Sequence, residues 1–167
     1  MRVERAFAFV DLCGFTAYSN HEGDEAAVEV LHHLRDLIRH VTSDHGVQVG
    51  KWLGDGAMFV SDGPRELVEA VLVLQDRFDD ELLLRAGAAS GPTILFEGED
   101  YVGGPVNLAS RLSDAASPGT FFTTATVADA RPAWAEATEV GVQRFPGFDE
   151  PIQVFCVTPT ETPVVPT

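Results

Sequence analysis

Residues 5–16 read Arg5-Ala6-Phe7-Ala8-Phe9-Val10-Asp11-Leu12-Cys13-Gly14-Phe15-Thr16. The apolar run through Leu12 predicts a buried strand, and Gly14 predicts the turn that ends it. Asp11 therefore falls at a strand end, just before a glycine turn. Phe15 to Tyr18 fits a short helical turn. From Asp24 to about Ser43 the residues Ala27, Leu31, Leu34, Ile38 and Val41 keep helical spacing, with Asp24 as the expected N-cap. Two apolar runs, 47–53 and 57–62, then flank Gly54-Asp55-Gly56, which predicts a β-hairpin.

Pro64 suits the first turn of the next helix, and Leu67, Val71, Leu74 and Phe78 line one face of it. Residues 82–96 read as a strand bent at Gly91-Pro92. Residues 98–106 read as a loop, 106–116 as a helix, 120–124 as a strand, and 126–136 as a short helix broken by Pro132. Residues 140–157 predict a closing hairpin that turns near Gly147–Pro151. The front half of this order, β-α-β-β-α-β, is the ferredoxin-like pattern. The predicted class is α/β (α+β), an antiparallel-rich central sheet with helices packed on it and a C-terminal hairpin. The expected domain is 1–157, followed by a Pro/Thr-rich tail at 158–167 expected to be disordered.

With 167 residues and 45% hydrophobic content, the chain can bury a core as one domain. No apolar stretch reaches the roughly 18 residues of a membrane span, and the N-terminus reads as a strand rather than a signal peptide. The formal net charge is −15, from 11 Lys+Arg against 26 Asp+Glu. Nucleic acid is not expected as a partner, because it favours a basic surface. A polyphosphate would need metal and local cations to bind such a chain. Cys13 and Cys156 are too few for a disulfide framework or a zinc site, so a cytoplasmic, reducing setting is expected.

Asp11 and Asp55 come next to turns on one expected sheet edge. Hard cations such as Mg²⁺ take one or two carboxylates plus substrate phosphates, and two carboxylates can bridge a pair of ions. Each Asp alone reads equally well as a turn residue. Lys51 alone reads as a solvated strand lysine, and Asp100 as part of an acidic loop. Asn107 could cap its helix, and Arg111 could pair with Asp114. Asn107 and Arg111, one helical turn apart, also face the same way. Taken together at these offsets, the residues point to phosphoryl chemistry on a nucleotide.

Three segments, FVDLCGFT from Phe9, KWLGDGAM from Lys51 and DYVGGPVNLASR from Asp100, resemble the signature segments of class III nucleotidyl cyclase catalytic domains. The resemblance covers residues 5–157 in the right order. It implies that Asp11 and Asp55 hold two divalent cations, Mg²⁺ or Mn²⁺, with the backbone carbonyl of Leu12. It implies that Lys51 and Asp100 read the adenine edge of ATP, that Asn107 orients the ribose, and that Arg111 stabilises the reacting α-phosphate. The expected function is adenylate cyclase, at two sites shared across a homodimer. Lys can donate to adenine N1 and Asp can accept from its amine, whereas guanine presents the opposite pattern.

One position departs from the pattern. Where relatives often carry a phosphate-touching lysine, this chain has Phe145-Pro146-Gly147-Phe148, and Arg144 lies two residues away on an expected strand. Two other classes compete: a catalytically silent cyclase-like module that senses nucleotide or dimerises, and a palm-type polymerase or diguanylate cyclase. The missing Gly-Gly-Asp/Glu-Glu-Phe signature and the acidic surface count against the latter.

Overall fold

Strand β1 (Arg2–Leu12) lies between two antiparallel neighbours, β3 (Gly56–Ser61) and β4 (Leu84–Phe96). The computed structural model describes residues 1–163. Ala6, Ala8, Val10 and Leu12 are buried in one apolar cluster, and Phe7 in a second on the opposite face. Burial on both faces explains why the β1 sequence is continuously apolar rather than alternating.

Helices α2 (Asp24–His45) and α3 (Pro64–Arg77) cover the first face with Val30, Leu34, Ile38, Val41, Leu67, Val71 and Leu74. Helix α4 (Gly104–Ala115) covers the second with Leu108, Ala109 and Leu112, beside Phe7, Met58 and Val60. A short helix, α1 (Phe15–Glu22), precedes α2. The remaining strands are β2 (Gln48–Leu53), β5 (Asp100–Val102), β6 (Phe121–Thr123), β7 (Ala135–Gln143) and β8 (Ile152–Pro159), and α5 (Ala125–Asp129) follows β6.

The eight-stranded sheet runs β2-β3-β1-β4-β6-β8-β7, with β5 paired to β4. Every pairing is antiparallel except β4 with β6. Its β2-β3-β1-β4 part is the expected ferredoxin-like unit, and β7–β8 is the expected closing hairpin. Among the described residues no helix is long and apolar enough to cross a membrane.

Several local expectations are corrected. Asp24 is the first residue of α2 and Gly23 its N-cap, so the carboxylate meets the positive helix end rather than capping it. Asp100–Val102, expected as loop, forms β5 because Ile94, Leu95 and Phe96 offer a free edge. The helix after β6 stops at Asp129, and β7 begins at Ala135, where Trp134 enters the core. Strand β8 continues to Pro159, and the Thr160 amide donates to the Trp134 carbonyl at 2.8 Å. Thr158 and Pro159 are therefore ordered strand, not tail; residues 164–167 lie outside the described residues.

Gly87 lets α4 reach β4. A Cβ there would strike the Ser113 amide nitrogen and lie 2.6 Å from the Ala109 carbonyl oxygen. Both contacts are backbone and neither can give way. Gly87→Ala should therefore push α4 off the sheet and cost about 1–3 kcal/mol or more, read as a lower denaturation midpoint in urea.

Candidate active site

Two strand pairings meet at Asp11. It lies opposite Gly56 on β3 and opposite Arg85 on β4. Gly56 permits the first approach, since a Cβ there would collide with the Val10 carbonyl oxygen and come within 2.8 Å of the Asp11 Cα. The Leu12 amide donates to the Asp55 carbonyl at 3.0 Å, fixing the Gly54–Asp55 turn against the end of β1. As a result Asp11 and Asp55 line one cleft of about 280 Å³ with Phe9, Val10, Leu53, Ser110, Ser113 and Asp114.

Burial, and then the negative charge of Asp11, raise the Asp55 carboxyl above its ordinary value; a backbone hydrogen bond and Arg85 offset part of this. Two carboxylates that repel each other in a half-buried cleft fit a divalent cation. Among the described residues no three His, Cys, Asp or Glu side chains form a metal cage.

Arg85 is a site residue that sequence reading missed. Its Nε donates to Asp11 Oδ1 at 3.0 Å and its Nη2 to Oδ2 at 3.2 Å. Its Nη1 donates to the Asp114 carbonyl at 3.1 Å, and its Nη2 lies 3.7 Å from Asp114 Oδ1. The hydrogen bond to Asp11 leads in holding the guanidinium pKa up. Ser113 adds a long contact to Asp11 Oδ1 at 3.5 Å. The expected Arg111–Asp114 pairing is thus replaced, because Asp114 turns toward Arg85. A lone Arg within Leu82-Leu83-Leu84-Arg85-Ala86-Gly87 was the available signal: a charge in an apolar strand needs a partner. Burial raises the Cys13 thiol, so that side chain is a neutral neighbour of the cleft.

The structure brings Lys51 and Asp100 together. Their Nζ and Oδ1 atoms are 3.8 Å apart, with the side chains 57% and 61% exposed. A bulge between Val49 and Lys51 shifts the β2 register. On the other side, the Tyr101 ring packs edge-on against Phe7 at 5.3 Å, which folds β5 toward the sheet face. An exposed ion pair is worth little, so a ligand can take over its two partners at small cost.

Asn107 and Arg111 are exposed on α4 and line a separate pocket of about 630 Å³ with Gly104, Ser110, Pro146, Gly147 and Phe148. Gly103, not Asn107, is the N-cap. Pro146 stands in this pocket with no charge to offer, and Arg144 follows the end of β7 rather than lying on it. Ser110 lines both this pocket and the carboxylate cleft.

No family model matches the chain. Over 150 residues, 88% of its length, it is 36% identical to an uncharacterized protein of Mycobacterium tuberculosis, of which it spans 39%. Over 126 residues, 74% of its length, it is 36% identical to the pH-sensitive adenylate cyclase of Mycobacterium tuberculosis, of which it spans 31%. The chain thus spans well under half of these curated relatives.

Among solved structures, the catalytic core of a rhodopsin-guanylyl cyclase with converted specificity, in complex with ATPαS, superposes with a TM-score of 0.84 at 20% identity, covering 95% of this chain and 97% of that one. The adenylyl cyclase CyaB from P. aeruginosa superposes with a TM-score of 0.81 at 20% identity, covering 98% of each chain. The chain has the nucleotidyl cyclase catalytic fold. Guanylyl cyclases share this cyclase fold at TM-scores of 0.82 and 0.80. The fold therefore does not select the base.

The Asp55 shift has a measurable consequence. A carboxyl whose folded pKa is raised penalises the fold once pH climbs above the unfolded value of about 3.8, and the penalty grows until pH passes the folded value. Asp55→Asn should therefore raise the melting temperature of metal-free protein at pH 7, and the gain should vanish well below pH 3.8. Added Mg²⁺ should stabilise wild type more than the variant. Differential scanning fluorimetry across pH, with and without Mg²⁺, checks both signs.

Proposed function

We propose that the chain is an adenylate cyclase catalytic domain that converts ATP to 3′,5′-cyclic AMP and pyrophosphate. The observation that carries the reading is the Lys51–Asp100 pair, a donor beside an acceptor at the edge of the sheet. Lys51 would donate to adenine N1, and Asp100 would accept from the exocyclic amine. Guanine, with a donor at N1 and an acceptor at O6, would leave both groups mismatched.

Asp11, Asp55 and the Leu12 carbonyl would hold two divalent cations, Mg²⁺ or Mn²⁺. When bound, such cations lower the pKa of the ribose 3′-hydroxyl and neutralise the polyphosphate. The 3′-oxygen would give its proton to water and attack the α-phosphorus as the bond to the pyrophosphate oxygen breaks. Asn107 would orient the ribose and Arg111 would balance charge on the α-phosphate, so this chain acts by positioning and electrostatics.

A homodimer with two shared sites belongs to the same proposal. In support, Asn107 and Arg111 open into a pocket other than the carboxylate cleft. Ile94, Phe96 and Val102 expose apolar surface on the β4–β5 arm, which a second copy could cover. A cytoplasmic setting, where ATP is supplied, is part of this reading, as is a catalytic domain covering at least residues 1–157. Pro146 in the pocket favours one alternative, a silent cyclase-like module that binds nucleotide without turning it over.

Incubating purified protein with ATP or GTP and either metal, with products identified by mass, separates these readings. Cyclic AMP formed in strong preference to cyclic GMP is the expected result; comparable turnover of GTP would remove the base-reading role of Lys51 and Asp100. Replacing Lys51 with Glu together with Asp100 by Cys should abolish the ATP preference. Asp11→Ala and Arg111→Ala should each be nearly inactive, the arginine loss costing about 10²–10³ in rate. Co-expressed, they should recover activity, because one site of a mixed dimer carries neither lesion. Heterodimers as inactive as either parent would rule out a site shared between chains.

A further inference from the structure

Arg85 uses both oxygens of Asp11, at 3.0 and 3.2 Å. A cation taken up by either oxygen would stand beside the guanidinium charge, so its binding favours release of at least one of these charge-assisted hydrogen bonds. The guanidinium must then find another acceptor or stay in the cleft as an unpaired charge. The structure already holds that acceptor. Asp114 accepts through its carbonyl at 3.1 Å, and its carboxylate oxygen waits at 3.7 Å from Nη2, just beyond hydrogen-bond range. The Asp114 side chain is 65% exposed and free to close that gap, whereas Arg85 is 29% exposed and confined.

We propose that Arg85 is a latch on Asp11 and that Asp114 is the positioning residue to which it is handed when Asp11 takes a divalent ion. This rests on the reading of Asp11 as a metal ligand. Asp114 then acts through Arg85 rather than by touching the ion. Its pairing strengthens in the metal-bound state, so it favours binding by the difference between the two states. Because Asp114 sits on α4 one turn beyond Arg111, the handover also reaches the helix that carries Asn107 and Arg111.

The test is a double-mutant cycle read as Mn²⁺ affinity of the intact protein without nucleotide, from the free-ion signal in electron paramagnetic resonance. Asp114→Asn should weaken Mn²⁺ binding about three- to tenfold, and Arg85→Gln should tighten it by a similar factor. The double variant should match Arg85→Gln, because without the latch Asp114 has nothing to receive. Arg85→Lys, whose single ammonium cannot span both carboxylates, should tighten binding in the same direction and guards against a folding defect in the glutamine variant.

A second readout is the Arg85 Nε–H resonance, which should shift on adding Mg²⁺ to wild type and stay fixed in Asp11→Asn. An equal effect of Asp114→Asn in both backgrounds would reduce Asp114 to a local charge and overturn the handover. So would an Arg85 resonance indifferent to Mg²⁺ in a protein that binds Mn²⁺ through Asp11. No Asp11-dependent Mn²⁺ binding in wild type would overturn the metal reading and the latch together.

Discussion

The register at Asp11 is the constraint on which the rest depends. One residue of β1 faces Gly56 on one neighbour and Arg85 on the other. A slip of one residue would turn every β1 side chain to the opposite face. Asp11 would enter the α2–α3 core. The slip is blocked because the two faces of β1 differ: alanines, Val10 and Leu12 meet the helix pair, while Phe7 meets α4 and Tyr101. The same register places Asp55, since the β2–β3 turn can close on Leu12 only where Gly56 lacks a side chain.

Legibility in the sequence tracked how local the signal was. Asp11 and Asp55 were readable because each sits beside a glycine turn. The ferredoxin-like order was readable because its strands and helices carry long periodic patterns. The β5 strand was not: three residues between glycines have no periodicity, and their strand geometry comes from the β4 edge. Arg85 stood out as a charge in an apolar run, but its partner was not legible for a related reason. Its role depends on a partner on another strand, and only the pairing shows that the two face each other. Asn107 and Arg111 were legible as a helical pair, but the turning of Asp114 toward Arg85 was not, since helical spacing offered Arg111 as an equal partner.

The acidic composition gives the few cations their weight. With a formal net charge of −15, an anionic ligand meets repulsion over most of the surface. Lys51, Arg85 and Arg111 are the cations at the sites described, and two of them are held by carboxylates. These pairings keep the cations in place without saturating them. The Lys51–Asp100 contact is long and solvated, so it orients both groups while leaving their hydrogen-bonding capacity open. The Arg85 fork is tight and half-buried, so it resists exchange more strongly.

That difference bears on why the groups are spread over two pockets of one chain. Lys51, Asp100, Asn107 and Arg111 stand open to water, where hydrogen bonds and charges are screened and discriminate weakly between ligands. Enclosing all of them within one chain would require burying several charges with no substrate present, at a desolvation cost that the fold would carry permanently. Under the proposed shared site, leaving them open would defer that cost until a ligand and a covering surface arrive together, and water exclusion would then strengthen each contact. The exposed apolar residues of the β4–β5 arm are suited to provide such a cover, because burying them in a second copy would favour closure while the polar groups meet the ligand.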